Sequence, residues 1–437
     1  MKFIISTSAF QSQVADLLPC NNGQKSQLIY TLLRSYKLLE HFNDVIGTSL
    51  AGIEDMKRFH SEKYLKLILN QDYSIDEQDS NHVLQLADIA RRFYQNSGTD
   101  VEEHWFDNEH DLYRYYTASF VGESDEDTKE ECLEEVDSEL LEKYGLQHDC
   151  PLFPYLSMYV QVITGATLSL LQFTQREVPS IAINWDGGRH HALKEYASGF
   201  CYVNDIVLLI QSLRRKGWNK VTYVDFDLHH GDGVAKALQF SKNIQTISVH
   251  LYESGFFPGT GSLNETRNAK EMVNVPVLHG MDDEYLKELM CKIVNPLVES
   301  FDADCIVIQC GADGLGGDKY NEWQLTIGGL TQAIISVMRL FKHKQIFLLG
   351  GGGYNPLLVA RFYTFLTAKV LETFGDIPCA IDENDEDLLI RDHEFIELYE
   401  KENYRYWSYD NEGELKRGLR NDNKKSYVQE LKEFYHL

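Results

Sequence analysis

Most of the chemistry this chain could perform is gathered in Val224-Asp225-Phe226-Asp227-Leu228-His229-His230-Gly231-Asp232-Gly233. A strand-like run from Lys220 to Val224 delivers five ionisable residues into a turn that carries glycine at Gly231 and Gly233. Side chains alternate along a strand, so Asp225, Asp227 and, where the extension persists, His229 point to one side. Two carboxylates and an imidazole on one face form a metal-ligand set. A solvated turn would account for the charges, but not for their delivery directly from an apolar strand.

Asp313 follows a second apolar run, and with Asp227 and His229 it offers two carboxylate oxygens and one imidazole nitrogen. Three protein ligands and an open position describe a catalytic divalent-metal site, with zinc (Zn2+) the expected ion and iron (Fe2+) or manganese also compatible with oxygen-rich ligands. A structural zinc would want four closed ligands, usually cysteines, and none are grouped here. His190 and His191 come from another loop, and each needs a partner to fix its tautomer. Asp225 and Asp232 remain once the metal has taken Asp227, so two His-Asp dyads follow.

A histidine held in this way can take a proton from a water on the metal and later give one to a leaving group. Tyr354, presented by the run Gly350-Gly351-Gly352-Gly353, can donate its hydroxyl to an oxyanion. Together these steps describe hydrolysis of an amide-like bond. Gly199, Phe200 and Phe257 offer two aromatic faces with a glycine between them, which suits a narrow channel for an aliphatic stem. Asp149, just before Cys150-Pro151, suits the rim, where it would accept N–H bonds from a peptide.

These groups must be positioned by a regular scaffold. Ile181–Trp185, Val221–Val224, Ile244–His250, Cys305–Gln309 and Gln345–Leu349 are short apolar runs of the kind found in fully covered parallel strands. Tyr202–Arg215, Val234–Phe240, Glu284–Phe301 and Thr331–Phe341 alternate with them at helical spacing. That alternation predicts one α/β domain, a doubly wound parallel sheet with helices on both faces. Each of the five runs leads into a glycine-rich polar turn, and in such sheets ligands bind where the loops at the carboxyl ends converge. Five loops therefore imply one composite site. Upstream, Phe3–Ser6 reads as a short buried strand, Lys25–Phe42 and Tyr155–Phe173 as helices, and Phe59–Leu65 as the start of another. His60, with no second ligand near it in sequence, reads as a packed or capping histidine.

The net charge of -26 is concentrated: residues 71–147 hold 22 acidic and 5 basic side chains. That stretch reads as an acidic insertion within the fold, with a helical piece at Val83–Phe93, and the chain beyond about residue 375 as a C-terminal extension. An acidic surface repels nucleic acid and favours basic partners such as lysine-rich tails. Eight cysteines without CxxC pairs point to reduced thiols inside a cell. No run suggests a signal peptide or a membrane span.

Six motifs stand in one order: Asp186 to His191, Ala197 to Tyr202, Asp225 to Gly233, Gly255 to Gly261, Gly311 to Asp313 and Gly350 to Asn355. In this the chain resembles the class I zinc-dependent histone deacetylases, a family with an arginase-like α/β fold. The likeness spans Asp149 to about Phe374, with patches at Lys25–Tyr36 and Phe59–Leu65. It implies a lysine deacetylase with zinc on Asp227, His229 and Asp313. It also implies His191 as general base and acid with Asp232, His190 as its electrostatic partner with Asp225, and Tyr354 as carbonyl polariser. Gly199, Phe200, Phe257 and Gly352 would contact the acetyl-lysine, and Asp149 the substrate backbone. A structural potassium ion (K+) would use Asp225, Asp227, His229 and Ser248.

The departures are specific. Where such enzymes carry an inner-channel arginine this chain has Lys25, which keeps the charge but loses the planar fork. At positions where basic residues hold inositol phosphate it has Leu278 and Gly328, so an inositol-phosphate corepressor complex is not expected. With the Gln24-Lys25-Ser26-Gln27 opening, the acidic stretch resembles a small fungal branch associated with deacetylating the cohesin ring as well as histones. The resemblance implies nuclear residence, with cytoplasmic action open. Two rivals are an acetylpolyamine amidohydrolase, which would share fold and metal set, and an inactive scaffold whose acidic insertion recruits basic partners.

Overall fold

In a computed structural model, which describes residues 1–21, 24–69, 138–153, 156–407 and 419–437, eight strands form one sheet. They are β1 (Lys2–Ser6), β2 (Asp44–Ile46), β3 (Ser180–Asn184), β4 (Val221–Asp225), β5 (Ile244–Leu251), β6 (Met272–Val277), β7 (Cys305–Gln309) and β8 (Gln345–Leu349). The order is β2-β1-β3-β8-β7-β4-β5-β6, and every pairing is parallel. The doubly wound α/β expectation holds.

The strands read as continuous apolar runs because both faces are covered. Phe3, Ile5, Ile181, Ile183, Val224, Ile306, Ile308, Ile346 and Leu348 join the core on one face. Their alternate neighbours Ile4, Ala182, Tyr223, Cys305, Val307, Phe347 and Leu349 join the other. The helices Lys25–Ser35, Ile327–Arg339 and Pro356–Gly375 pack on the first face, and Leu156–Phe173 and Asp205–Arg215 on the second. Leu156–Phe173 has the length and mean hydropathy (1.3) of a membrane span, but 72% of it is buried inside the protein.

The expected Tyr202–Arg215 helix begins at Asp205, Val234–Phe240 lies at Asp232–Leu238 and Thr331–Phe341 at Ile327–Arg339, and three more expected helices differ. Lys25–Phe42 stops at Ser35, because Lys37 turns left-handed (φ 58°) before a short 3-10 turn at Leu38–His41. Glu284–Phe301 is interrupted by a π turn at Met290–Val294. Pro296 at the start of the last segment has no N–H to give the preceding turn, and the π turn absorbs the mismatch. The helix expected from Phe59 begins at Glu62. Two strands were not legible. β2 has three residues, and β6 contains Pro276, tolerable because β6 lies at the sheet edge. The expected Val83–Phe93 helix, and the acidic stretch up to residue 137, lie outside the described residues.

Described residues beyond 375 contribute to the core. Tyr399, Tyr406, Trp407, Val428 and Leu431 belong to the largest cluster, and the Tyr406 hydroxyl donates to the Arg361 carbonyl at 2.6 Å.

Candidate active site

β4 ends at Asp225, so simple alternation does not bring Asp227 and His229 together. The Asp225 carboxylate accepts the Asp227 N–H, and the Asp227 carboxylate accepts the His229 N–H, each at 3.1 Å. Two successive Asx turns therefore coil the segment tightly beyond the strand. The Leu228 N–H donates to Asp313 Oδ1 at 2.9 Å, which draws in the loop after β7. Ligand atoms of Asp227, His229 and Asp313 then lie within 4.8 Å of one another, all three side chains buried.

The donor set fits a divalent cation. His229 Nδ1 is 2.9 Å from Asp313 Oδ2 and 3.2 Å from Asp227 Oδ1. Burial, then the charge of Asp227, pushes the Asp313 carboxyl up. Despite its own burial, Asp227 is held well below the ordinary carboxylate range by His190 and His229. Two buried carboxylates facing each other across an imidazole are a strained arrangement that a cation between them relieves.

Both expected dyads form. His190 Nδ1 donates to Asp225 Oδ2 at 2.9 Å, and His191 Nδ1 donates to Asp232 Oδ1 at 2.7 Å. Because a carboxylate only accepts, both rings carry hydrogen on Nδ1 and turn Nε2 toward the site. Burial opposes charge on His190, but Asp225 and Asp227 outweigh it and hold the ring at about 9. His191 is pushed down by burial and by His190, against the pull of Asp232. The adjacent rings, with centroids 3.9 Å apart, are thus shifted in opposite directions.

The channel residues gather above them. Gly199 (φ 53°) and Phe200 (φ 62°) are both left-handed, and a Cβ on Gly199 would lie 2.3 Å from His191 Cδ2. The Phe200 and Tyr354 ring centroids are 5.8 Å apart, and Phe257 packs on His191 at 4.9 Å. Burial, then Asp313, pushes the Tyr354 phenol well up, so it keeps its proton. Asp149 is exposed and already accepts the Gly199 N–H at 2.7 Å. Gly352 directs its N–H to Asp227 Oδ2 at 2.8 Å. Ser248 stands beside Asp225 in the β4–β5 register, with its Oγ 2.9 Å from His250 Nδ1.

Several supporting groups went unnoticed in the sequence. Tyr223 donates its hydroxyl to Asp225 at 2.7 Å, Gln309 Nε2 donates to Asp227 at 2.7 Å, and Phe256 stacks flat on His229 at 5.1 Å. The period-2 spacing of Tyr223 and Asp225 was the one local signal for any of them. Asp318 accepts the N–H groups of Tyr354 (2.6 Å) and Asn355 (3.1 Å), which fixes the loop. Lys25 is buried in the inner cavity with Arg189, its Nζ donating to the Gly351 carbonyl at 3.2 Å. Burial and then Arg189 lower its pKa. His60 lies apart from the site and bridges two backbone segments, with Nδ1 to the Lys194 carbonyl and Nε2 accepting the Asn204 N–H.

Residues 18–370 match the family model described as the histone deacetylase domain. Histone deacetylase HOS1 of Saccharomyces cerevisiae is 48% identical over 471 residues, covering 100% of both chains. Histone deacetylase 8 of Xenopus tropicalis is 31% identical over 83% of this chain and 82% of its own. Histone deacetylase 9 of Arabidopsis thaliana is 40% identical over 56% and 57%.

Proposed function

The chain belongs to the histone deacetylase family, and we propose that it hydrolyses N6-acetyl-lysine in proteins to lysine and acetate at the site formed by Asp227, His229, Asp313, His190, His191 and Tyr354. The observation that carries the reading is the convergence of a buried two-carboxylate, one-imidazole cluster with two Asp-oriented histidines at the carboxyl ends of β3, β4, β7 and β8.

Asp227, His229 and Asp313 would hold a divalent ion, with zinc first and Fe2+ second. Such an ion polarises an amide carbonyl and acidifies an adjacent water. His191 takes the proton of the attacking water at Nε2 and returns it to the lysine nitrogen as the C–N bond breaks. His190, charged and tied to Asp225, stabilises negative charge beside it. Tyr354 donates its hydroxyl to the carbonyl oxygen as that oxygen gains charge. Phe200, Phe257 and Gly199 wall the aliphatic stem, Gly352 lies along it, and Asp149 holds the substrate backbone. Asp225, Asp227, His229 and Ser248 would hold a structural K+; the support is the pairing of Asp225 with Ser248 in the sheet.

The chain's net charge of -26 supports lysine-rich histone tails as substrates. A cohesin-ring substrate rests on the resemblance to the fungal branch alone. Leu278 and Gly328 in place of basic residues argue against an inositol-phosphate corepressor complex, and the family supports a nuclear location. Acetate release from acetylated histone peptides tests the proposal. A purified, metal-loaded protein that releases acetate from acetylspermidine but not from peptides would overturn the protein-substrate reading.

A further inference from the structure

His230 follows a metal-site residue directly in sequence, yet its ring turns away from that site. It is buried, its Nδ1 lies 2.8 Å from the Thr260 hydroxyl, and its ring centroid is 4.5 Å from that of His250. His250 is buried too and donates Nε2–H to the Gly261 carbonyl at 3.0 Å. The two rings leave no room at Gly261: a Cβ there would lie 2.2 Å from His250 Nε2 and 2.7 Å from His230 Cγ. Glu265 completes the grip by accepting the N–H groups of Gly261 and Ser262 at 3.0 Å each.

Thr260 and Gly261 close the loop that presents Phe256 and Phe257. Phe256 stacks on His229, and Phe257 packs against His191 while staying 40% exposed. At its start the loop is held by the Phe256 N–H donating to the Glu253 carbonyl at 3.1 Å and by Phe256 packing against the core. Gly255 and Gly259 both have positive φ, with open space where a side chain would be. An aromatic wall on a glycine-flanked loop keeps its distance from the opposite wall only if its ends are fixed.

We propose that His230 is a positioning residue that, through Thr260, fixes the Phe256–Phe257 wall and with it the width of the acyl-lysine channel. The consequence for the channel rests on the deacetylase reading; the clamp itself does not. One dipeptide, His229-His230, thus serves the metal site with its first ring and the channel wall with its second.

The test uses Thr260→Val, which keeps the shape and removes the hydroxyl, and Thr260→Ser, which keeps the hydroxyl. Hydrogen exchange of the 253–262 segment reads the clamp without reference to activity. It should quicken by about 3- to 10-fold in Thr260→Val, the range of one lost hydrogen bond, and stay near wild type in Thr260→Ser. With acetyl-lysine peptides, Thr260→Val should raise KM by a similar factor with kcat within about twofold and the bound metal per chain unchanged. It should also narrow the preference for acetyl over butyryl-lysine, which a purely structural defect would not do. Unchanged exchange, or loss of kcat in step with loss of metal, overturns the proposal. A wild-type protein inactive on every acyl-lysine peptide overturns the deacetylase reading, while exchange still decides the clamp.

Discussion

His191 Nδ1 lies 2.7 Å from Asp232 Oδ1, and the adjacent ring of His190 makes the equivalent contact with Asp225 at 2.9 Å. Two neighbouring histidines are so tied to two different aspartates, and the second of these, Asp225, also accepts the Tyr223 hydroxyl. The pairing leaves His191 as the ring pushed toward neutrality and His190 as the charged one.

The assigned roles make the dyad and the phenol separable. His191→Ala and Tyr354→Phe are each expected to lower kcat by about 10²- to 10⁴-fold in acetate release from acetyl-lysine peptides. Asp232→Asn, which presents an N–H to Nδ1 and disfavours the required tautomer, should lower kcat by about 10²-fold or more with little change in KM. Wild-type rates in these variants would remove the roles assigned to the residues.

Removing a ligand should act through metal content. Asp313→Ala and Asp227→Ala are expected to lose bound divalent metal by elemental analysis, together with activity. Treating the wild type with a chelator should abolish acetate release and adding back zinc should restore it. Full metal occupancy in both variants would place the ion elsewhere.

His60 predicts acid lability. Burial pushes its pKa down to about 4, against the opposing pull of the Lys194 carbonyl on Nδ1, while Nε2 accepts the Asn204 N–H. In the unfolded chain the ring titrates near its ordinary value of 6.5. Below that pH the unfolded state binds a proton that the folded state refuses. Stability is therefore full above about 6.5 and falls as pH drops toward 4, by up to about 3 kcal/mol. Denaturant melts at pH 7 and pH 4.5 check this, and His60→Gln should flatten that part of the slope.

The C-terminal residues are expected to be indispensable for folding. Trp407 is buried with its ring 5.1 Å from Phe365, and Tyr399 and Leu431 are fully buried. Trp407→Ala should cost about 3–5 kcal/mol in denaturant unfolding. A chain truncated after residue 375 should be insoluble or molten; a truncated chain with wild-type stability would show that the segment merely covers the surface.

Gly199→Ala should impair activity without unfolding the protein. The residue is left-handed, and the added methyl meets His191. A drop in kcat/KM of about tenfold or more, with Tm lowered by only a few degrees, is the expected outcome.

The sequence alone determined the fold class, because residues of parallel strands buried on both faces must be apolar at every position and must alternate with helices. It also determined which residue types meet: short apolar strands ended in turns carrying Asp, His, Gly and Tyr, and such turns share one end of a parallel sheet. What it could not reach depends on contacts between distant segments or on local irregularity. Proline in β6 and the shortness of β2 hid two edge strands, while Pro296 and left-handed Lys37 broke helices that periodicity joined. Alternation suggested that Asp225, Asp227 and His229 share a strand face, but the strand ends at Asp225 and two side-chain-to-backbone turns bring the latter two together. Gln309 behind Asp227, Lys25 beside Arg189, and the grip of His230 on Thr260 were settled only by tertiary packing. Each brings together polar groups between 30 and 164 residues apart, and contacts at that separation leave no periodic trace in a single chain.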